Sequence, residues 1–306
     1  MERTVDKSVK YILLFITVIF AATCGEVPVS IDEDTYEPKI VVDGYLIAGK
    51  KLGGIRLSRN YPLNTVIPLD EIVLTDATVS VTEISSNTEF NLTFNPFTFA
   101  YEYNEGEYFV EAGKSYRIDI QARVANQNLT TSSITTVPDP GFEIVDDVSG
   151  PDALAYRERD ENGDLNKFTV SYRNSESTES YIASIVAMQG GDSTFIEDNP
   201  FIDRDVLEDD PNLINILMNQ RQWAISQASG NNLSEIEIEW FSIWFYGQYR
   251  VILYAADENY TDYLLTHDMI QDIDGNLWEP KFHFDGDGIG VFGSAIADTI
   301  YFQVNP

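Results

Sequence analysis

The sequence predicts a mainly β protein, with an N-terminal immunoglobulin-like β-sandwich followed by a β-rich domain that holds a few helices. Apolar residues recur at every second position in short segments from Pro38 onward. These segments are rich in Val, Ile, Thr, Tyr and Phe, and Gly, Asn and Pro separate them. Hydrophobic residues make up 43% of the 306-residue chain, which is enough for a large packed core.

The first predicted domain spans residues 38–139 and has about seven short strands, the number typical of an immunoglobulin-like sandwich. Gly113 and Lys114 predict a hairpin turn within it. Two prolines in the segment VPDPGF, residues 137–142, predict the domain boundary. The strand patterns of this domain are residues 39–47, 55–63, 77–85, 89–103, 107–124 and 130–137.

The second predicted domain, residues 140–306, mixes strands with helices. Helical spacing of apolar residues predicts one helix within 203–229, which contains Pro211 near its start, and another within 258–272. Residues 235–257 predict a long pair of strands, and a glycine-rich loop leads into the last strand. Shorter strand patterns lie at 142–148, 167–173 and 180–188.

The N-terminus has the parts of a secretory signal, so we expect residues 1–23 to be a signal peptide. Its apolar run, Tyr11–Ala22, is shorter than the roughly twenty residues that span a bilayer. The only cysteine, Cys24, follows it in a pattern similar to the lipobox of bacterial lipoproteins. This predicts lipid attachment at Cys24 and a polar tether over residues 24–37. The alternative is an ordinary signal peptide with an incidental cysteine.

The charge balance is strongly acidic, with 19 Lys and Arg against 50 Asp and Glu, for a net charge of −31. Nucleic-acid binding requires a basic surface that contacts phosphates, so we expect no nucleic-acid partner. Electrostatic attraction to anionic lipid headgroups is disfavoured for the same reason. The acidity favours solubility and the attraction of neutral or cationic partners.

The motifs of catalysis and cofactor binding are weak in this sequence. Gly288–Gly293 fits the G-x-G-x-x-G pattern, but too little chain follows it for a dinucleotide-binding βαβ unit, so we interpret it as a glycine-rich loop. Two acidic loops, residues 160–166 and 272–279, are similar to calcium loops, yet their glycine comes at position four and favours turns. We therefore expect no cofactor, with calcium left open. His267 and His283 are interpreted as structural, and no catalytic residue is predicted.

An aromatic stretch at residues 240–254 is the strongest candidate for a binding site. Strand alternation would place Phe241, with Ile243 and others, on a core face. The alternative is a strand that helices cover on both faces. On the opposite face, aromatic rings mixed with polar groups suit stacking on a glycan, a peptide or a protein partner. The candidate ligand-binding residues on that face are Trp240, Trp244, Tyr246 and Arg250.

Four features of the chain carry a family resemblance: the cysteine at position 24, EPKIVVDGYL (37–46), the hairpin GEYFVEAGKSYRIDI (106–120) and the C-terminal segment WEPKFHFDGDGIGVFGSA (278–295). Together they resemble a family of Bacteroidota lipoproteins, domain of unknown function 4249. The resemblance implies an outer-membrane lipoprotein, often encoded near a TonB-dependent receptor. The acidic residues of the tether are similar to signals for export to the cell surface in some of these bacteria.

These observations lead to one functional expectation and two alternatives. We expect a lipid-anchored, non-enzymatic protein of the outer membrane and cell surface that assists a TonB-dependent transporter in capturing a nutrient. The first alternative is a structural or adhesive surface lipoprotein. The second is an extracellular hydrolase, which would need clustered Ser, His and Asp side chains or a carboxylate pair in a deep cleft.

Overall fold

A computed structural model confirms the mainly β fold with a few helices. Contacts between Cα atoms group Pro38–Tyr61 with Thr65–Pro306 in one compact unit. Residues 1–23 and Cys24 lie outside the described residues, and the division into domains at 139/140 stays a prediction. None of the described helices has the length and apolar character needed to cross a membrane. The structure describes residues 36–62, 65–68, 71–178, 180–202, 204–219, 223–226, 233–267 and 280–306.

Seven strands of the first half form an antiparallel sheet in the order β1-β2-β5-β4-β3-β6-β7. Alternate side chains of each strand are buried, as the two-residue period predicts. The pattern at 89–103 is two strands joined by a turn, because Pro96 cannot donate a ladder hydrogen bond and Phe99 adopts a left-handed backbone. The strands are β1 (Ile40–Ile47), β2 (Gly53–Arg59), β3 (Thr78–Glu83), β4 (Thr88–Asn95), β5 (Ala100–Tyr103), β6 (Ser115–Val124) and β7 (Gln127–Thr136).

The second half differs from the sequence prediction in two places. The helix predicted within 203–229 is two short helices, and residues 223–226 form a strand. The two strands predicted within 235–257 do not pair with each other, because they belong to different sheets. The elements are β8 (Glu143–Ile144), β9 (Ala153–Ala155), β10 (Phe168–Arg173), β11 (Ser180–Ala187), α1 (Arg204–Asp209), α2 (Pro211–Met218), β12 (Trp223–Ser226), β13 (Leu233–Ile238), β14 (Gly247–Ala256), α3 (Glu258–His267), β15 (Asp285–Gly286) and β16 (Gly288–Asn305).

The long strand β16 connects the two halves. Its first part runs parallel to β1, from the pair Ile40–Gly288 to the pair Ile47–Ala295. Its second part runs antiparallel to β14 as far as Val304. The main sheet therefore continues from the first half through β16 into β14, β11 and β12. A small separate sheet has the order β13-β10-β8.

The segment β15–β16 also closes the first sheet on itself. Asp285 of β15 pairs with Ser132 of β7, and the backbone N–H of Asp287 donates to the carbonyl of Thr130 at 2.9 Å. Since β16 continues alongside β1, the two ends of the curled sheet meet at this segment. The curled sheet encloses a core as a β-sandwich does, and Phe292 of β16 packs into that core.

Close backbone contacts explain the glycines at this closure. A Cβ added to Gly286 would lie 2.4 Å from the carbonyl oxygen of Thr130, and one added to Gly290 would lie 2.2 Å from that of Val42. Both glycines also have a positive φ, which favours a residue without a Cβ. The prediction of a loop at Gly288–Gly293 is therefore wrong. This segment is the start of β16, and its backbone lies in close contact with β7 and β1.

A second hydrophobic core lies under β10, β11, β14 and the end of β16. At its centre the ring of Phe302 stacks on Phe168 at 4.1 Å and on Tyr249 at 5.2 Å between centroids. The buried Tyr249 hydroxyl donates to the carbonyl of Phe245 at 3.0 Å and accepts from the backbone N–H of Phe245 at 2.9 Å. This satisfied hydroxyl holds the chain that enters β14 in a fixed path.

Candidate ligand-binding surface

The aromatic stretch at 240–254 is only partly a strand. Trp240–Ser242 form a single 3-10 turn, and β14 begins at Gly247. The two-residue period therefore fails at the start of the stretch, and Phe241, predicted to face the core, is 46% exposed. From Ile243 onward the prediction is confirmed, because the side chains assigned to the core face are buried.

Four aromatic side chains gather around Trp240, namely Phe201, Phe241, Tyr156 and Tyr246, and we call these five residues, together with Arg157, the aromatic surface. Trp240 stacks on Phe201 at 5.8 Å between centroids and meets Phe241 edge-on at 6.1 Å. Tyr156 lies beneath, 6.3 Å from Trp240 and 6.4 Å from Tyr246. Phe201 is 61% exposed, so the outer rings face solvent while Tyr156 and Tyr246 pack against the second core.

Two polar features belong to the aromatic surface. The Arg157 guanidinium lies 5.0 Å from the centre of the Trp240 ring, a cation–π contact. Arg157 has a φ of +58°, an uncommon backbone for a residue with a Cβ. The Tyr156 hydroxyl is buried with no hydrogen-bond partner among the described residues, and burial raises the pKa of Tyr156 above its usual value. A cation beside stacked rings can orient a ligand, whereas the buried Tyr156 hydroxyl is not presented to solvent.

The structure brings only part of the predicted site together. Trp240 and Tyr246 both contact Tyr156 and belong to the aromatic surface. Trp244 packs against the second core. Arg250 points to the other side of β14 from the buried Tyr249. Its Nε atom is buried and has no hydrogen-bond partner within the described part of the chain.

Sequence reasoning missed Tyr156, Arg157 and Phe201. They lie in irregular segments far along the chain from Trp240, so no local periodicity marks them. Nothing in the spacing of their neighbours connects them to residues 240–246. Only tertiary packing places them there.

Both histidines contact other side chains. His283 Nε2 lies 2.9 Å from Asp262 Oδ2, and Lys281 Nζ lies 3.2 Å from Asp262 Oδ1. These contacts hold the segment before β15 against α3. The His267 ring packs at 5.0 Å from Tyr263 on the same helix.

A polar cleft of about 330 Å³ lies beside the start of α3. Asp257 lines it, and the Asp257 carboxylate accepts hydrogen bonds from the backbone N–H groups of Tyr260 and Ser294, both at 3.0 Å. Burial raises the pKa of Asp257, while a hydrogen bond from Thr135 opposes that rise. The carboxylate caps α3 and ties it to β7 and β16, which is a structural role. The residues that line the cleft are Thr136, Pro138, Ser177, Thr178, Ser180, Asp257, Glu258, Thr261 and Asp262. His283 does not line this cleft.

The first acidic loop is a turn held by its own aspartate. Asp160 accepts hydrogen bonds from the backbone N–H of Asp164 at 2.9 Å and of Asn162 at 2.8 Å. These bonds lower the pKa of Asp160, the bond from Asp164 most. The second loop, residues 272–279, lies outside the described residues. Within the part of the chain that is described, no group of three or more His, Cys, Asp or Glu side chains could hold a metal ion.

Comparisons with known proteins give one strong match. The family described as "Domain of unknown function (DUF4249)" matches residues 26–295. No curated protein matches the chain.

Solved structures are only weakly similar. One concerns host cell surface retention of a 1.5-MDa bacterial ice-binding adhesin, at 9% identity over 88% of this chain and 65% of that one, with a TM-score of 0.20. Another is native E. coli alpha-2-macroglobulin, at 8% identity over 73% of this chain and 13% of that one, with a TM-score of 0.21. The chicken CNTN1 FN1-FN3 domains match at 11% identity over 70% and 57% of the two chains, with a TM-score of 0.18. Likenesses this weak carry no functional argument.

Proposed function

Because the chain belongs to the DUF4249 family, we propose that it is a lipid-anchored binding protein of the outer membrane and cell surface. In this proposal it is a non-enzymatic accessory that captures a nutrient for a TonB-dependent transporter. Acyl chains on Cys24 hold it at the membrane, and residues 24–37 form the tether. Each buried methylene of an acyl chain contributes about 0.8 kcal/mol, so several chains anchor firmly.

The observation that carries this proposal is the aromatic surface. The exposed rings of Phe201 and Phe241 stand beside the half-buried ring of Trp240 on a packed core, so little conformational entropy is lost when a ligand stacks on them. Such clustered aromatic rings favour the apolar face of a sugar or an aromatic peptide side chain. The net charge of −31 favours a neutral or cationic ligand.

The transporter partnership is tested by affinity purification of the full chain from detergent-solubilised membranes. We expect a TonB-dependent receptor to be recovered with the wild-type protein. A matched purification uses the variant Trp240→Ala, which removes the central ring of the surface. Repeated failure to recover any such receptor from the producing organism contradicts the accessory role.

The anchor is tested separately by metabolic labelling with a radioactive fatty acid. The wild-type protein should carry the label and Cys24→Ser should not. Equal labelling of both proteins contradicts attachment at Cys24 and leaves the question of the receptor untouched.

An adhesive lipoprotein stays as a second candidate, since exposed aromatic rings also suit a repeating polymer. Binding of the purified protein to an insoluble glycan would favour it if cells without the transporter retain the same binding. A requirement for the transporter would favour the accessory role.

A further inference from the structure

One end of the curled first sheet collects the start of β1 and two loops. Ile40, at the start of β1, pairs with Arg59 at the end of β2. Ile55 of β2 pairs with Tyr101 of β5, so the β4–β5 turn, residues 96–99, lies towards the Arg59 end. The segment that follows Arg59 leaves β2 at this same end.

Four apolar side chains project into solvent there, and we call them the apolar tip. Phe97 is 93% exposed and Phe99 is 59% exposed, both in the β4–β5 turn. Val66 is 91% exposed and Ile67 is 47% exposed, both in the segment after β2. Single exposed apolar residues are common, but four large ones at one end of a sheet indicate an interaction site.

Hydrogen bonds fix the turn that presents the two phenylalanines. Glu102 accepts from the Asn95 amide at 2.8 Å and from the Thr98 hydroxyl at 2.8 Å. The backbone N–H of Phe97 donates to the Asn95 side chain at 3.0 Å. Phe99 holds a φ of +51°, which a bulky residue adopts only at a cost. A strained, braced turn that keeps aromatic rings in water is not explained by the stability of the fold.

Arg59 and Tyr61 form a packed pair beside the apolar tip. The Arg59 guanidinium lies over the Tyr61 ring, 4.6 Å from its centre, and Arg59 Nη1 lies 3.9 Å from Glu71 Oε2. The Tyr61 hydroxyl and Arg59 Nε are buried, so these polar atoms are not available to lipid headgroups. The rest of the chain is strongly acidic, so attraction to this site would be hydrophobic more than electrostatic.

The position of the apolar tip suggests its occupant. The chain enters β1 at Ile40, beside the apolar tip, from the segment that begins at Cys24. Residues 25–39 reach at most about 54 Å when fully extended at ~3.6 Å per residue. β16 leaves the first sheet past Ile47, at the opposite end of β1, and continues into the second core. The apolar tip therefore lies at the end where the chain enters β1, away from the second core on which the aromatic surface is built.

We propose that the apolar tip inserts into the interface of the bilayer that anchors the protein, and so orients the aromatic surface away from the membrane. This inference rests on the proposed anchor at Cys24. The occupant is the lipid surface itself, because the anchor brings the same end of the molecule to it at a high effective concentration. Phe97 and Phe99 enter the acyl boundary.

The test uses the acylated full-length protein, in which an introduced cysteine is the only free thiol because Cys24 is blocked. A nitrobenzoxadiazole label is placed at Phe97→Cys or, as a matched control, at the exposed aromatic Phe201→Cys. Each protein is reconstituted in zwitterionic phosphatidylcholine–phosphatidylethanolamine vesicles. We expect brominated acyl chains to quench the label at position 97 at least threefold more than the label at 201. Equal and weak quenching at both positions overturns the proposal.

Two further measurements separate the possible failures. If Cys24 of the wild-type protein reacts with maleimide, the proposed anchor is wrong. The apolar tip is then judged from co-sedimentation of Cys24→Ser with the same vesicles, which Phe97→Ser/Phe99→Ser in that background should lower at least threefold. An unchanged sedimented fraction overturns the insertion. A label at 97 that is shielded in native membranes but exposed in protein-free vesicles also overturns it, in favour of a protein partner.

Discussion

The substitution Gly290→Ala tests whether the closure between β16 and β1 is as tight as the structure shows. A Cβ at this position would lie 2.2 Å from the carbonyl oxygen of Val42 and 3.1 Å from its carbonyl carbon. Gly290 also has a φ of +101°. A left-handed backbone costs a residue with a Cβ about 1–2 kcal/mol.

The steric contact adds a second cost. A Cβ essentially never lies within 3.0 Å of another heavy atom, so the contact of 2.2 Å with the Val42 oxygen would force β1 and β16 apart by about 1 Å. That movement stretches their hydrogen bonds, and each buried backbone group left unpaired costs about 1–3 kcal/mol. We expect Gly290→Ala to lower the free energy of unfolding by about 2–5 kcal/mol, from the backbone cost plus one such loss.

A matched control separates the backbone cost from the contact. Gly49 also has a positive φ, of +75°, but a Cβ there would meet no atom within 4 Å. Gly49→Ala should therefore cost only about 1–2 kcal/mol. Equilibrium unfolding in urea, followed by tryptophan fluorescence, measures both variants. Equal losses for the two variants would refute the argument that the close approach of β16 to Val42 requires glycine.

Three more predictions follow from the structure. Trp240→Ala should weaken ligand affinity by at least tenfold in an equilibrium binding assay, because removal of an aromatic hot spot costs about 2 kcal/mol of binding free energy. Ile134→Ala, on β7, should leave the affinity unchanged in the same assay. Phe302→Ala removes the ring between Phe168 and Tyr249 and should lower the free energy of unfolding by about 3–5 kcal/mol. If urea unfolding shows a decrease of less than about 1 kcal/mol, the described packing is wrong. Hydrogen bonds from Ser85 and Ser86, with Lys114 nearby, lower the pKa of Glu83 from 4.5 to about 2. The ionised form of Glu83 therefore stabilises the fold fully above pH 4.5, and this stabilisation is lost as the pH falls through 2. The stability difference between wild type and Glu83→Gln should therefore be present at pH 7 and shrink steadily below pH 4.5, and a difference independent of pH would contradict this origin.

The strands could be predicted where a local period determines burial. In β1 and β6 every second side chain enters the core, and a pattern of two residues is visible in the sequence without knowledge of the partner strand. The same reasoning correctly assigned Tyr249 and Val251 of β14 to the core. It failed at Phe241, because a 3-10 turn resets the direction in which side chains point.

The candidate site could be predicted only in part, because its members come from different segments. Trp240 and Tyr246 were identified from one aromatic stretch, whereas Tyr156 and Phe201 reach them through tertiary packing. Arg250 was assigned to the same face by alternation, yet the irregular segment before β14 separates it from Trp240. A period shows which side of one strand is buried, but it does not show which distant segments meet there.

By itself, the sequence determined the mainly β class, most strand positions and the family, because alternation and family motifs are local properties of the chain. The tertiary structure alone decided that β16 serves both halves, that its glycines pass within contact distance of Val42 and Thr130, and that exposed rings gather at two sites. These features depend on contacts between residues from tens of positions to more than two hundred positions apart in the chain, and no short window of sequence carries that information.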